Sequence, residues 1–332
     1  MLRSDAAYAK APTRTLALLG AAHVHLPDHL DRIAQRGWSV AWVHDRVPER
    51  CASFCETLAA KPLTDLKSLT AEMCDGVIVC SETRHHEDDV SAALDAGLPV
   101  FCEKPLGGSA EAAYRMADQA ERAGLGLYTA YFMRTNPTLR RLHDILQTRR
   151  LGTISHARMR FSHDGGYADW LDLDCWMTDP GLACYDGFVD EAVHCIDTLS
   201  WLVGPITSGH AVTGNTLGWS VDDHGAAVVK FENGATGVIE AGWTDTEMRL
   251  ELDIIGQSGH ARLVNNQLSV WESRDAGTAP NLQMKLERLD AGAGIEPFLD
   301  ALANRPAEGL VAAAEAARVN TVLDAMGLRL CD

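Results

Sequence analysis

The sequence predicts an α/β domain with a doubly wound parallel sheet, followed by an α+β domain carrying a large, mostly antiparallel open sheet. Three observations carry that prediction. Short apolar runs alternate with helical patterns as far as residue 132; one conspicuous helical pattern then occupies 188–203; closely spaced strand patterns follow it. At 332 residues the chain is long enough for two cores.

In the first half, TLALLG (15–20), SVAWVHD (39–45), DGVIVC (75–80), LPVFCE (98–103) and GLYTAYF (126–132) read as buried strands. Residues 26–36, 48–59, 86–96 and 109–123 read as the intervening helices, the last opened by Ser109 as N-cap. Such alternation implies a parallel sheet covered on both faces. The domain boundary is placed near Arg134 to Pro137, giving domains at 1–133 and 134–332. In the second half, GAAVVKFE and ATGVIEAGW flank Asn233-Gly234, a hairpin signal. RLELDIIG, HARLV and QLSVWE extend the sheet, and helices return at 295–304 and 310–328. One face of that sheet is expected to be free of helices and to serve as a subunit contact, so a homodimer or homotetramer is expected.

With 29 basic against 46 acidic residues, the formal charge of -17 opposes attraction to nucleic acid or anionic membrane. A small-molecule substrate is the expected partner. The segment MLRSDAAYAKAPTR has no apolar core, and no apolar run approaches the ~20 residues of a membrane helix, so a cytoplasmic location is expected. Nine cysteines without a Cys-x-x-Cys argue against a disulfide framework or structural zinc. Cys51 and Cys55 read as reduced, buried, small apolar residues.

The most informative stretch is LPVFCEKPLGG (98–108). It delivers Lys104 to the carboxyl end of a strand, where open α/β sheets hold ligands, and Pro105 restricts it to an extended or turn conformation. An ordinary surface exit from a strand is the plainer reading. The first strand ends at Gly20, followed by Ala21, Ala22, His23, Val24 and His25. A dinucleotide loop wants glycine at 20, 22 and 25, and only the first is present. Asp45 ends the second strand 25 residues later, where a carboxylate accepts hydrogen bonds from ribose hydroxyls and disfavours a 2'-phosphate. NAD is therefore expected, while Arg46 beside it keeps NADP open.

Farther on, Asp190, His194 and Asp197 fall within about 60° of one another on a helix advancing about 100° per residue. Carboxylates beside an imidazole are the makings of a general base, although a buried histidine bonded to aspartate looks the same in sequence. Asp190, Glu191 and His194 include metal-ligand types, but no second pair completes a shell, so no metal is expected. The acid-rich DWLDLDCWMTD (169–179) offers Asp172 and Trp176 as substrate-binding candidates, against the reading of a solvated loop.

Together these motifs resemble the Gfo/Idh/MocA oxidoreductase family over nearly the whole chain. VCSETRHHEDDVSAALDAGLPVFCEKP is similar to the family stretch that passes from a Thr-Pro-Asn-like turn through a histidine to Glu-Lys-Pro. Ser81, Glu82 and Thr83 stand at the turn, His86 at the histidine, and Glu103, Lys104 and Pro105 at the motif, whose peptide before proline is often cis. YFMRTNP resembles the segment closing the nucleotide domain and carries Arg134; FVDEAVHCIDTLSWLVGP is similar to the family's Asp-x-x-x-His-x-x-Asp helix. Ala22, His25 and Glu82 depart from the pattern.

The resemblance implies a Rossmann domain holding NAD through Gly20, Ala22, His23, Val24, Asp45, Arg46, Ser81, Glu82, Thr83, His86, Glu103, Lys104 and Arg134. It also places His25 near the cofactor. It implies hydride transfer between nicotinamide and a secondary alcohol or carbonyl of a sugar or polyol. His194 would take the hydroxyl proton, Asp190 would orient and charge the imidazole, and Lys104 would hydrogen-bond the reacting oxygen; Asp172 and Trp176 would bind substrate. The same family includes non-catalytic NAD-binding regulators and NAD-dependent glycoside hydrolases. Net nicotinamide reduction separates a dehydrogenase from both.

Overall fold

The structure, a computed structural model, describes residues 14–168, 170–275 and 277–331. The amino-terminal segment 1–13 and Asp169, both read above, lie outside the described residues.

The first sheet joins β1 (Thr15–Leu19), β2 (Ser39–His44), β3 (Lys61–Pro62), β4 (Gly76–Val79), β5 (Val100–Cys102) and β6 (Leu127–Thr129). All neighbours are parallel, in the order β3-β2-β1-β4-β5-β6. Crossovers run through α1 (Leu26–Gln35), α2 (Pro48–Leu58), α3 (His86–Asp95) and α4 (Ala110–Ala123). Ser109 caps α4 as expected, its Oγ accepting from Ala112 N at 3.1 Å. β3 escapes sequence reading because its two residues are exposed and one is proline. The run at 126–132 shortens to three strand residues, because Phe132–Thr135 winds into a 3-10 turn leading to the second domain.

That domain comprises α5 (Pro137–Gln147), β7 (Ile154–Ser162), α6 (Pro180–Ala183), α7 (Gly187–Val203), β8 (Ile206–Gly214), β9 (His224–Phe231) and β10 (Thr236–Gly242). Then come β11 (Arg249–Gly256), β12 (His260–Val264), β13 (Gln267–Trp271), β14 (Leu282–Lys285), α8 (Glu296–Leu302) and α9 (Ala313–Ala325). The eight strands run β14-β13-β12-β11-β7-β10-β9-β8, antiparallel at every step except β7–β10. Asn233-Gly234 turns the β9–β10 hairpin, with Gly234 at φ 89°. β7 and β8 were not read from sequence: β7 does alternate, with buried Ala157, Met159 and Phe161 between Arg158 and Arg160, but it lacks a continuous apolar run, and β8 is mostly exposed.

Helix α7 packs its apolar side, including Phe188, Ala192 and Val193, against β7, β9 and β10. Across from it, the free face is as ionic as it is apolar. Val212 and Val228 are 69% and 60% exposed. Toward the middle, Arg158 bridges Glu240 at 2.6 Å and Glu251 at 3.2 Å, and Arg262 meets Asp253 at 2.7 Å.

The last helices return to the first domain. Phe298 of α8 stacks on Phe101 of β5 at 5.9 Å, and Asp324 of α9 accepts from the Ala110 amide at 2.8 Å at the start of α4. The sequence argued against a disulfide framework, yet Cys184 and Cys331 form one disulfide, a pairing across 147 residues that no spacing announces. Cys51 and Cys55 are free, but half-buried rather than buried.

Candidate active site

The strand order reverses direction at β1 and β4, and the crevice beyond their carboxyl ends is where such sheets bind ligands. Gly20 is needed there twice over. Its φ is +74°, and a Cβ would lie 2.3 Å from Ser81 Cα. The loop after it is held by backbone bonds, Ala22 N and His23 N both reaching Cys80 O at 3.0 Å. Asp45 Oδ2 accepts from Ala21 N and from Arg50 Nε, each at 2.7 Å, and Oδ1 accepts from Val47 N at 2.7 Å. Three donors leave this carboxylate with acceptor capacity for a ribose hydroxyl, so the residues fit a dinucleotide. Arg50 also donates to Glu82 at 2.7 Å, a clamp that sequence reading missed.

Glu103 and Lys104 face opposite halves of the molecule. Glu103 is fully buried among imidazoles, with His29 Nε2 at 2.6 Å, His23 Nε2 at 3.5 Å and His25 Nδ1 at 3.7 Å. Burial works against the carboxylate, but the surrounding imidazoles outweigh it and hold its pKa well below the usual range. Burial lowers His23 well below the ordinary histidine value, so its ring is neutral. The Lys104-Pro105 peptide is cis. Lys104 Nζ donates to Asp190 Oδ1 at 2.5 Å and to the Asp190 carbonyl at 3.1 Å. Burial opposes the ammonium, yet Asp190, Glu191 and Glu103 outweigh it and raise the lysine pKa.

Asp190, Glu191 and His194 of α7 line a cavity of about 790 Å³, together with His163, Phe132, Phe161 and Trp170. Asp190 Oδ2 accepts from Trp243 Nε1 at 2.9 Å. Burial alone would raise this carboxyl, but the Lys104 charge and hydrogen bond hold it well below the usual range. His194 is 2% exposed and packs edge-on to Phe132 at 4.8 Å and Phe161 at 5.7 Å. Burial first, then the charges of Lys104 and His25, lower its pKa well below 6.5. Its Nδ1 has no partner among the described residues.

Several expected roles change. Asp190 serves Lys104 and Trp243 rather than orienting His194, to which it makes no hydrogen bond among the described residues. Asp197 turns to Arg134, accepting from Nε at 3.0 Å and from Nη2 at 2.7 Å, while Glu315 takes the remaining nitrogen. Arg134 is thereby committed to a buried ion pair and does not line the cavity. His86 has Nδ1 3.0 Å from Pro105 O and Nε2 3.1 Å from Ser81 O, so it pins the turn from within and offers nothing to a cofactor. Arg46 is bound by Asp89 at 2.9 Å. Asp172 is exposed and caps its own turn at Asp174 N, away from the cavity. Trp176 also stands outside it, donating instead to Ala22 O at 3.0 Å against the glycine loop.

His163, given no role from sequence, lies in the cavity with Nε2 3.1 Å from Glu191 Oε1. Two trios bring ligand-type atoms within 4.8 Å of one another, His23-His25-Glu103 and His163-Asp190-Glu191. In both, a backbone N–H occupies the histidine Nδ1, Gly165 N at 3.0 Å for His163 and His25 N at 3.3 Å for His23. With Nδ1 accepting, each ring carries a proton on Nε2, which in His163 donates to Glu191 and in His23 faces Glu103 at 3.5 Å, so neither offers an ion a free lone pair.

Residues 15–131 match the model of an oxidoreductase family with an NAD-binding Rossmann fold, and residues 139–262 match the GFO/IDH/MocA C-terminal domain. The chain belongs to the Gfo/Idh/MocA family. It is 26% identical over 300 residues to a myo-inositol dehydrogenase of Streptomyces leeuwenhoekii, spanning 87% of each chain. It is 30% identical over 173 residues to the rhizopine catabolism protein MocA of Rhizobium meliloti, about half of each chain (51% and 52%). In fold it is similar to a levoglucosan dehydrogenase solved with NADH and levoglucosan, with TM-score 0.81 and 19% identity, over 95% of this chain and 96% of that one. The first domain is an NAD-binding Rossmann domain, and the family is one of oxidoreductases.

Proposed function

We propose that the protein transfers hydride between NAD and a secondary alcohol of a neutral sugar or polyol. One observation carries this reading: an uncharged His194 and Asp190 line the same cavity, and Asp190 is paired with the charged Lys104 at the carboxyl end of β5. Bound NAD supplies the hydride acceptor. His194, kept neutral by burial, is the base that accepts the hydroxyl proton. Lys104, kept charged by Asp190, donates a hydrogen bond to the oxygen on which negative charge develops. Trp243 holds Asp190, and Asp190 holds Lys104.

Asp45 and Glu82, bridged by Arg50, support NAD over NADP, since their charges oppose a 2'-phosphate. Self-association through the free sheet face is supported by its exposed valines and ion pairs; light scattering that gave a monomer at micromolar concentration would refute it. No described helix is long and apolar enough to cross a membrane, and a cytoplasmic location belongs to the same reading.

NADH formation with myo-inositol, D-xylose and levoglucosan tests the proposal. Wild-type protein should accumulate NADH with at least one of them, and His194→Ala should lower kcat by roughly 10²–10⁴-fold. Absence of NADH with the whole panel, or near-normal turnover in folded His194→Ala, overturns it.

A further inference from the structure

We propose that Glu191 selects the substrate by accepting a hydrogen bond from a hydroxyl on the carbon next to the one oxidised, and that His163 is the positioning residue that holds it. This rests on the dehydrogenase reading above and names the substrate class of that same site: neutral molecules with vicinal hydroxyls.

The helix supplies the placement. At about 100° per residue, position 191 lies about 60° from 194 on the side opposite 197. The two sides of His194 therefore have different fates. Asp197 turns to Arg134, and Glu191 turns to the cavity with His194 and Asp190.

The orientation of Glu191 is fixed from behind. Gly165 N donates to His163 Nδ1 at 3.0 Å, so the ring proton sits on Nε2, which donates to Glu191 Oε1 at 3.1 Å. His163 is itself 3% exposed and is packed edge-on by Trp170 at 4.7 Å. One carboxylate oxygen is thus satisfied.

The other oxygen is not. Glu191 is 7% exposed, and its Oε2 has no partner among the described residues. A buried carboxylate oxygen left without a donor is costly, and proteins rarely retain one without a reason. Because a carboxylate only accepts, the missing group must be a donor. Asp190 beside it is already paired with Lys104, so Oε2 offers the cavity lone pairs and no proton. A hydroxyl satisfies Oε2; the carboxylate of a 2-hydroxy acid, placed on the same neighbouring carbon, is repelled.

Sites built to bind a hydroxyl reject the analogue that lacks it, because the site's own polar group is then stranded. The experiment measures kcat/KM for NAD reduction with two matched pairs, myo-inositol against its deoxyinositols and D-glucose against 2-deoxy-D-glucose, and with D-lactate as the hydroxy-acid probe. Wild-type protein should prefer the full diol of its better pair by roughly 10²-fold and give no turnover with D-lactate. Glu191→Gln and Glu191→Ala should compress that preference below about 10-fold, mostly through KM for the diol. His163→Phe should compress it as well, and His163→Gln, which keeps an N–H donor, should restore part of it.

A wild-type preference below about 3-fold, or preferred turnover of D-lactate, overturns the inference without recourse to any variant. So does an unchanged preference in folded Glu191→Gln. No NADH from these polyols, D-xylose and levoglucosan overturns the dehydrogenase reading and this inference together, whereas turnover with an unchanged diol preference overturns this one alone.

Discussion

Lys104→Met tests the electrostatic arrangement without reference to substrate. In the native protein the 2% exposed Lys104 side chain lies 2.5 Å from Asp190, whose side chain is 20% exposed toward the cavity. Removing one partner of a buried pair leaves the other charge uncompensated, at a cost of about 3–5 kcal/mol. Asp190 keeps some contact with the cavity and the Trp243 donor, so the lower end, about 3 kcal/mol, is expected at pH 7.

The pH dependence gives a sharper signature. With Lys104 present the folded Asp190 pKa is depressed, so its stabilisation is present above the unfolded value of about 3.9 and is lost as pH falls through the folded one. Without Lys104 burial dominates and raises the folded pKa, and the variant then loses stability as pH rises through that value. The gap between wild type and variant should therefore be widest near neutrality and close on acidification. Urea unfolding from pH 4 to 8 measures it, with Lys104→Met/Asp190→Asn expected to recover most of the loss. A gap under about 1 kcal/mol at pH 7, or one that ignores pH, would refute the reasoning.

Arg134→Met should destabilise the fold by about 3 kcal/mol by stranding Asp197, while KM for NAD stays within about 2-fold; a rise of 10-fold or more would return Arg134 to the cofactor site. Asp45→Ala should raise KM for NAD by roughly 10-fold and narrow the preference over NADP, measured as a ratio of kcat/KM values. An unchanged ratio would remove Asp45 from the selection. Because His194 is depressed well below 6.5, its neutral form persists on acidification, so kcat/KM should stay level from pH 8 to below 6.5. For the same reason the unfolded state takes up a proton first as pH falls below about 6.5, and His194 contributes a loss of stability there.

The parallel sheet was legible because its strands are continuous apolar runs, and Lys104 because proline and a strand end give its place away. Asp190 and His194 were legible as one helix face. Which neighbour joined them was not: 191 and 197 lie at equal angles from His194, and only Arg134, brought in by the 3-10 turn at Phe132–Thr135, decides that Asp197 faces elsewhere. Trp243 and His163 were hidden for a related reason. Each enters the site from the end of a strand, β10 and β7, whose parallel pairing is fixed only by tertiary structure. Asp172 looked promising in an acid-rich run, but an aspartate two residues before an amide satisfies itself in a local turn.

Glu103 and Lys104 are consecutive, yet their side chains answer to different domains. Glu103 is held by three histidines from the loop and helix that follow β1, while Lys104 is held by Asp190 from α7. Neither charge is stable in its position alone, since both groups are fully withdrawn from water. The glycine loop therefore owes part of its anchoring to Glu103, while the next residue, Lys104, reaches across to Asp190 of α7. The histidines that stand where a Gly-x-Gly loop would run place imidazole nitrogens around the buried Glu103 carboxylate. The unusual loop and the Glu-Lys-Pro motif thus form one electrostatic unit, and a substitution such as His29→Leu, at a residue outside the cavity lining, is expected to act through Glu103 on the cofactor side first.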